Sequence, residues 1–211
     1  CRLGLVMILA AAVPAAELHI RVTDEKGKPV WTRLEVRGSG DKMYQAPGAI
    51  LDKTARNRPG GGPWYLGSFV VNGECRVEVP AGRYTIVAEH GPEYTRGETN
   101  VEVAERPERA EIRLKPWIRM RDCGWWSGDM HVHRPPEDTA SLSLAEDLNV
   151  SVLTTMWNKR DLWAGQPWPE PVVRASPNHL VTVLNAEDER GGGAWMLHGL
   201  PRRLENLATD G

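Results

Sequence analysis

The chain has 211 residues, 41% of them hydrophobic and 26% charged, with a formal net charge of -2. That length supports one large or two small domains around a real apolar core. The charge balance does not suggest a nucleic-acid partner, which would need a basic face. Tryptophan is over-used, nine against a single phenylalanine, and Trp serves both half-buried core positions and binding surfaces.

Residues 1–15 place Arg2 ahead of the apolar run Leu3–Ala12 and end in small residues. They read as a secretory signal peptide with cleavage after Ala15, so the expected location is secreted or periplasmic. The run is too short for a stable membrane span. Beyond it lie Cys75 and Cys123, which an exported protein could pair or leave as two free thiols.

From Glu17 to Lys115 the pattern is β. Leu18-His19-Ile20-Arg21-Val22 and Thr32-Arg33-Leu34-Glu35-Val36-Arg37 alternate apolar with polar residues. Residues 38–63 contain Gly60-Gly61-Gly62 and read as a long loop. Strands resume at 65–71, and Asn72-Gly73 signals a short hairpin into Glu74–Val79. Further strands are expected at 84–89, 98–103 and 109–114. Several short strands without a helical pattern indicate a sandwich over residues 17–116. The runs Val22-Thr23-Asp24, Gly27-Lys28-Pro29-Val30 and Val79-Pro80-Ala81-Gly82-Arg83-Tyr84-Thr85 resemble carboxypeptidase-regulatory-like, Ig-like modules. That resemblance implies a spacer or binding appendage.

The stretch with most chemistry is Gly124-Trp125-Trp126-Ser127-Gly128-Asp129-Met130-His131-Val132-His133. As a strand, it would put Ser127, Asp129, His131 and His133 on one face, because alternate residues share a side. Two imidazoles and a carboxylate suit Zn²⁺, Mn²⁺ or Fe. A metal so held lowers the pKa of bound water. A helix is expected over 138–148, with Thr139 or Ser141 as N-cap, followed by a buried strand at 149–155. Asn158–Pro177 reads as a polar loop carrying Trp163 and Trp168. His179–Glu187 is a further strand, ending in acids. Strand–helix–strand order predicts an α/β unit with parallel pairing, and ligands gather at the carboxyl ends of such strands.

The run Trp126–His133 resembles the opening motif of PHP-type metallohydrolases, closest to the carbaryl-hydrolase-like CehA/McbA family, in which a β-sandwich precedes the catalytic domain. The resemblance implies a two-domain chain: an Ig-like sandwich, then the N-terminal part of a distorted (β/α) barrel over 117–211. It also implies a metal-dependent ester or phosphoester hydrolase. His131, His133 and Glu187 would be metal ligands, and Asp129 and Asp138 the supporting catalytic carboxylates. Met156 stands where the family has a ligand histidine, and Ala194 where it has another; His198 could compensate. The family's later motifs would lie beyond Gly211. Two functions from different classes follow. One is a secreted hydrolase acting on a small-molecule or glycan-like substrate. The other is a non-catalytic secreted binding protein that recognises a glycan or surface partner through its Trp-rich loops.

Overall fold

The computed structural model describes residues 15–51, 67–157, 160–189 and 192–204. Residues 1–14, most of the expected signal peptide, lie outside these, as do residues 52–66, which take in the glycine-rich loop.

The first unit contains β1 (Ala15–Thr23), β2 (Trp31–Arg37), β3 (Met43–Tyr44), β4 (Ile50–Leu51), β5 (Phe69–Asn72), β6 (Glu74–Pro80), β7 (Gly82–Glu89), β8 (Tyr94–Thr95), β9 (Gly97–Val103), β10 (Glu108–Arg113) and β11 (Lys115–Pro116). One sheet has the order β10-β1-β6; the other runs β4-β5-β2-β7-β9, with β3 on the end of β2. The period-two pattern decides which side chains meet. Leu18, Ile20 and Val22 of β1 are fully buried, as are Leu34 and Val36 of β2 and Ile86 of β7, in one apolar cluster. Burying each such side chain contributes about 1.5–3 kcal/mol. Tyr84 closes one end, its ring edge-on to Tyr44 at 5.4 Å and its hydroxyl donating to the Pro80 carbonyl at 2.6 Å.

Two local expectations change. Asn72-Gly73 is not a hairpin turn, because β5 and β6 belong to different sheets. Gly73 carries the chain across at φ +75°, donates its N–H to the Val30 carbonyl, and leaves no room for a Cβ against Pro29. The short arch is therefore imposed by close backbone approach rather than by strand pairing. β9 and β10 also belong to different sheets. The stretch read as a long loop contains the short strands β3 and β4.

The second unit holds β12 (Gly128–Val132), α1 (Pro136–Ala145), β13 (Val150–Trp157), β14 (Arg160–Asp161), β15 (Val172–Ser176), β16 (His179–Asp188) and β17 (Trp195–Leu197). Its sheet runs β12-β13-β16-β15, with β14 on β13 and β17 on β16. The first three strands are parallel; β15 is antiparallel to β16. Helix α1 starts two residues earlier than expected. Pro136 suits the first helical position, where no N–H is needed, and Glu137 and Asp138 favour the positive end of the helix dipole.

The fold-class expectation is corrected here. The second unit is not a helix-rich PHP-type α/β barrel, because a barrel needs a helix after each strand. Among the described residues α1 is the one α-helix, and the link from β13 to β16 runs through the short strands β14 and β15. The result is an open mixed sheet in a chain that is almost all β. No helix among the described residues is long and apolar enough to cross a membrane.

The two units meet at the end of α1. His90 Nδ1 lies 3.2 Å from the Ala145 carbonyl, Arg33 lies 3.5 Å from Glu146, and Gly91 touches the Glu146 carbonyl so closely that a Cβ would clash.

Candidate metal centre

Parallel pairing brings the carboxyl ends of β12, β13 and β16 to the same rim of the sheet. His131 comes from the outermost strand, His133 from the residue just past its end, and Glu187 from two strands away. His131 Nε2 lies 3.0 Å from Glu187 Oε2, His133 Nε2 lies 2.9 Å from it, and the two imidazole nitrogens are 2.8 Å apart. The Glu187 side chain is 6% exposed, against 45% for His131 and 35% for His133. A buried carboxylate thus forms the base of the site, and two imidazoles form its open side.

Hydrogen bonding alone does not satisfy this triangle. It has three short edges, yet each neutral imidazole carries one N–H and an ionised carboxylate carries none. If both Nε2 atoms donate to Glu187, two N–H groups face each other at 2.8 Å. Three lone pairs turned toward one cation resolve the conflict. Around a four-coordinate Zn²⁺, N and O donors at about 2.0–2.2 Å stand roughly 3.4 Å apart, so the observed triangle needs only a slight opening. The N, N, O donor set fits Zn²⁺, Mn²⁺ or Fe, and these three atoms converge within 4.8 Å.

The surroundings hold the three side chains in place. The His133 ring stands edge-on to Trp157 at 4.8 Å, and the Arg160 guanidinium lies 5.4 Å from the centre of the Trp157 ring. The sequence reading missed Trp157 and Arg160; the one signal was a Trp at the end of a predicted buried strand. Beneath the site, Asn185 donates to the Leu153 and Thr182 carbonyls and accepts from the Gly199 N–H. It ties β16 to β13 and fixes the strand end that carries Glu187.

The expected face containing Asp129 is not formed. Between Asp129 and Val132, three steps along β12 span two along β13, from Ser151 to Leu153. This bulge moves Asp129 to the opposite side, where it lines a cleft with Val132 and Arg134. Its Oδ1 accepts the His131 N–H at 3.0 Å and so stabilises the bulge that aims His131. Ser127, also expected on that face, donates to the Asp147 carbonyl. Asp138 is half-buried in the first turn of α1. Neither Asp129 nor Asp138 joins the converging ligand atoms. Met156 is buried in the sheet, paired with Ala186. Ala194 and His198 are exposed and outside the triad. Cys75, half-buried, and Cys123, exposed, are both free.

No protein-family model matches the chain, and no curated protein matches it. Several solved structures are similar to about half of it. The Bacillus anthracis TIE protein is 15% identical over 48% of this chain and 17% of its own, with a TM-score of 0.32. The shaft pilin SpaA from Lactobacillus rhamnosus GG is 15% identical over 48% of this chain and 47% of its own, with a TM-score of 0.35. A pilus-presented adhesin is 13% identical over 48% of this chain and 27% of its own, with a TM-score of 0.26. The chain thus spans under half the length of each. Likenesses this distant carry no argument about what the protein does. The expected membership of the CehA/McbA-like PHP metallohydrolases is nevertheless overturned. No family model supports it, and the described residues are nearly all β with one α-helix, where such a barrel needs a helix after each strand. The motif Trp126–His133 places two histidines well but does not bring a hydrolase barrel with it, and the hydrolase reading falls with the family.

Proposed function

We propose that this is a non-catalytic binding protein, working outside the cytoplasm, that holds one divalent transition-metal ion between His131, His133 and Glu187. The observation that carries this reading is the over-subscribed triangle: three donor atoms meet at 2.8–3.0 Å with too few protons to bond one another. Glu187 supplies the negative charge from a buried position, and the two imidazoles leave the outer side of the site open. Trp157 walls off one flank. When bound, the ion supplies a Lewis-acidic point to which an external oxygen or nitrogen donor can attach. Trp125 and Trp126 stand exposed in the same stretch of chain. They offer apolar ring faces to a partner that combines such a donor with a flat apolar surface, as a glycan does.

Titrating the EDTA-treated chain with ZnCl₂ in a calorimeter tests the reading. One ion per chain is expected, with loss of at least about tenfold in affinity in His131→Ala and Glu187→Gln. With Co²⁺ in its place, added imidazole should change the visible spectrum through the open position. No stoichiometric metal, or equal uptake by His131→Ala, overturns the proposal.

A further inference from the structure

The hairpin between β15 and β16 sets three side chains in a line that the metal centre does not use. Ser176 closes β15, His179 opens β16, and the two face each other across Pro177-Asn178. Ser176 Oγ lies 2.6 Å from His179 Nδ1. His179 Nε2 in turn lies 2.9 Å from Oδ1 of Asp147, which stands just past the end of α1. An ionised carboxylate only accepts, so Nε2 carries the proton of the neutral imidazole. Nδ1 then presents a lone pair, and the Ser176 hydroxyl donates to it. Asp147 thus sets the tautomer, as a carboxylate does for a base beside a serine nucleophile.

Neighbouring groups hold this line in place. Asp147 adopts φ +48°, and its carbonyl accepts from Ser127 Oγ at 2.6 Å. Asn149 Nδ2 donates to the Asn178 carbonyl at 3.0 Å and ties the hairpin loop to the start of β13. The Asn178 N–H donates to Ser176 Oγ at 3.2 Å, where it stabilises negative charge as the hydroxyl proton leaves. The His179 side chain is 12% exposed, whereas Pro177 and Asn178 are open to solvent and Ser176 is half-buried. The base is shielded, and the loop that carries the hydroxyl meets solvent. Other serines of this unit are engaged differently: Ser143 bonds the Thr139 carbonyl and Ser151, and Ser127 bonds a carbonyl. Neither meets a base.

We propose that Ser176 is a nucleophilic serine that takes up an acyl group from an activated ester. Its Oγ attacks the carbonyl carbon while its proton passes to His179 Nδ1. Asp147 stabilises the resulting imidazolium through the Nε2–H. The tetrahedral intermediate collapses, the bond to the leaving oxygen breaks, and that oxygen takes the proton from Nδ1. Ester and serine become acyl-serine and alcohol, with nothing oxidised or reduced. The modification is stoichiometric and needs no metal. His179 and Glu187 stand toward opposite ends of β16, roughly 25 Å apart, so the two sites are separate.

The test treats the full chain with 4-nitrophenyl acetate at pH 8 in EDTA, after Cys123 has been blocked with iodoacetamide. Peptide mass mapping reads the acetyl group on Ser176. The folded protein should acetylate Ser176 at least about tenfold faster than the same chain in urea, with Ser143 unmodified. His179→Gln should slow the reaction by about 100-fold, and Asp147→Asn by about tenfold or more. The comparison with urea needs no variant, so it decides the matter even if His179→Gln does not fold. No acetyl on Ser176, equal rates in folded and urea-treated chains, or an unchanged rate in folded His179→Gln overturns the proposal and leaves the three side chains as a clamp on the hairpin.

Discussion

Single residues are where the sequence pattern and the structure part most clearly. Asp129 and His131 are two apart and share a face in any regular strand. One bulged residue separates them, yet Asp129 keeps a local task by accepting the His131 N–H. The two cysteines differ in a similar way. Cys75 on β6 is half-buried against the sandwich core, and burial pushes its thiol up to about 12. Cys123 is exposed. The thiolate is the reactive form, so access and charge stabilisation decide labelling. Iodoacetamide at pH 8 should modify Cys123 and leave Cys75 intact in the folded protein. Peptide mass mapping reads the result, and equal labelling of both would contradict the burial of Cys75.

At the scale of elements, helix α1 is the piece that the rest of the second unit depends on. It covers the sheet on one side and touches the sandwich on the other. Its end is built by unusual backbone: Asp147 follows it at φ +48°, held by His179 Nε2 at 2.9 Å from Oδ1. Opposite, Gly91 adopts φ +65°, and a Cβ there would sit 2.2 Å from the Glu146 carbonyl. Gly91→Ala combines left-handed strain with a backbone clash, each costing about 1–3 kcal/mol. The expected outcome is a loosened α1 with an intact sandwich. Hydrogen exchange checks it: faster exchange in residues 136–147 and unchanged protection in β1, β2 and β7. Similar protection of α1 in both proteins would mean that the contact does not hold the helix.

For the whole molecule, the junction makes stability depend on pH. His90 is buried between the units, next to the Ala145 carbonyl and edge-on to Tyr94. Burial holds its imidazole below the ordinary value, although Asp147 and the carbonyls of Ala145 and Trp31 pull the other way and His179 adds to the lowering. The unfolded chain therefore binds a proton that the folded chain resists. Stability from this group is complete above about pH 6.5 and is lost as pH falls below it toward the lowered folded value. Glu146, pushed up by burial, has the opposite sign and loses stability as pH rises above the ordinary carboxylate range. Urea midpoints measured from pH 7.5 down to pH 5 should fall, and His90→Gln should flatten the decline over that window. A decline of equal slope in the variant would assign the pH dependence to other groups.

How much was legible follows from the range of the forces involved. Strand positions in the first unit were readable because burial on one face writes a period of two into Leu18–Val22, Thr32–Arg37 and Glu74–Val79. The converging triad was readable as candidates because His131, His133 and Glu187 sit at strand ends, where apolar patterning stops and polar residues carry meaning. Partners across the molecule were not readable. The sequence does not encode locally that β5 and β6 enter different sheets at Asn72-Gly73, or that Trp157 backs His133. The family resemblance failed for the same reason: eight residues describe a strand and its polar side chains, not the number of helices that follow.

The amino-acid sequence by itself determined which segments are extended, which side chains are apolar enough to be buried, and which residues could bind a metal. Those properties depend on neighbours two to four positions away. Only the tertiary structure decided that the second unit is an open mixed sheet, that one bulge turns Asp129 away from the two histidines, and that Glu187 closes the triangle across β13. Such outcomes depend on register between distant strands, and a shift of one residue there moves a side chain to the other face.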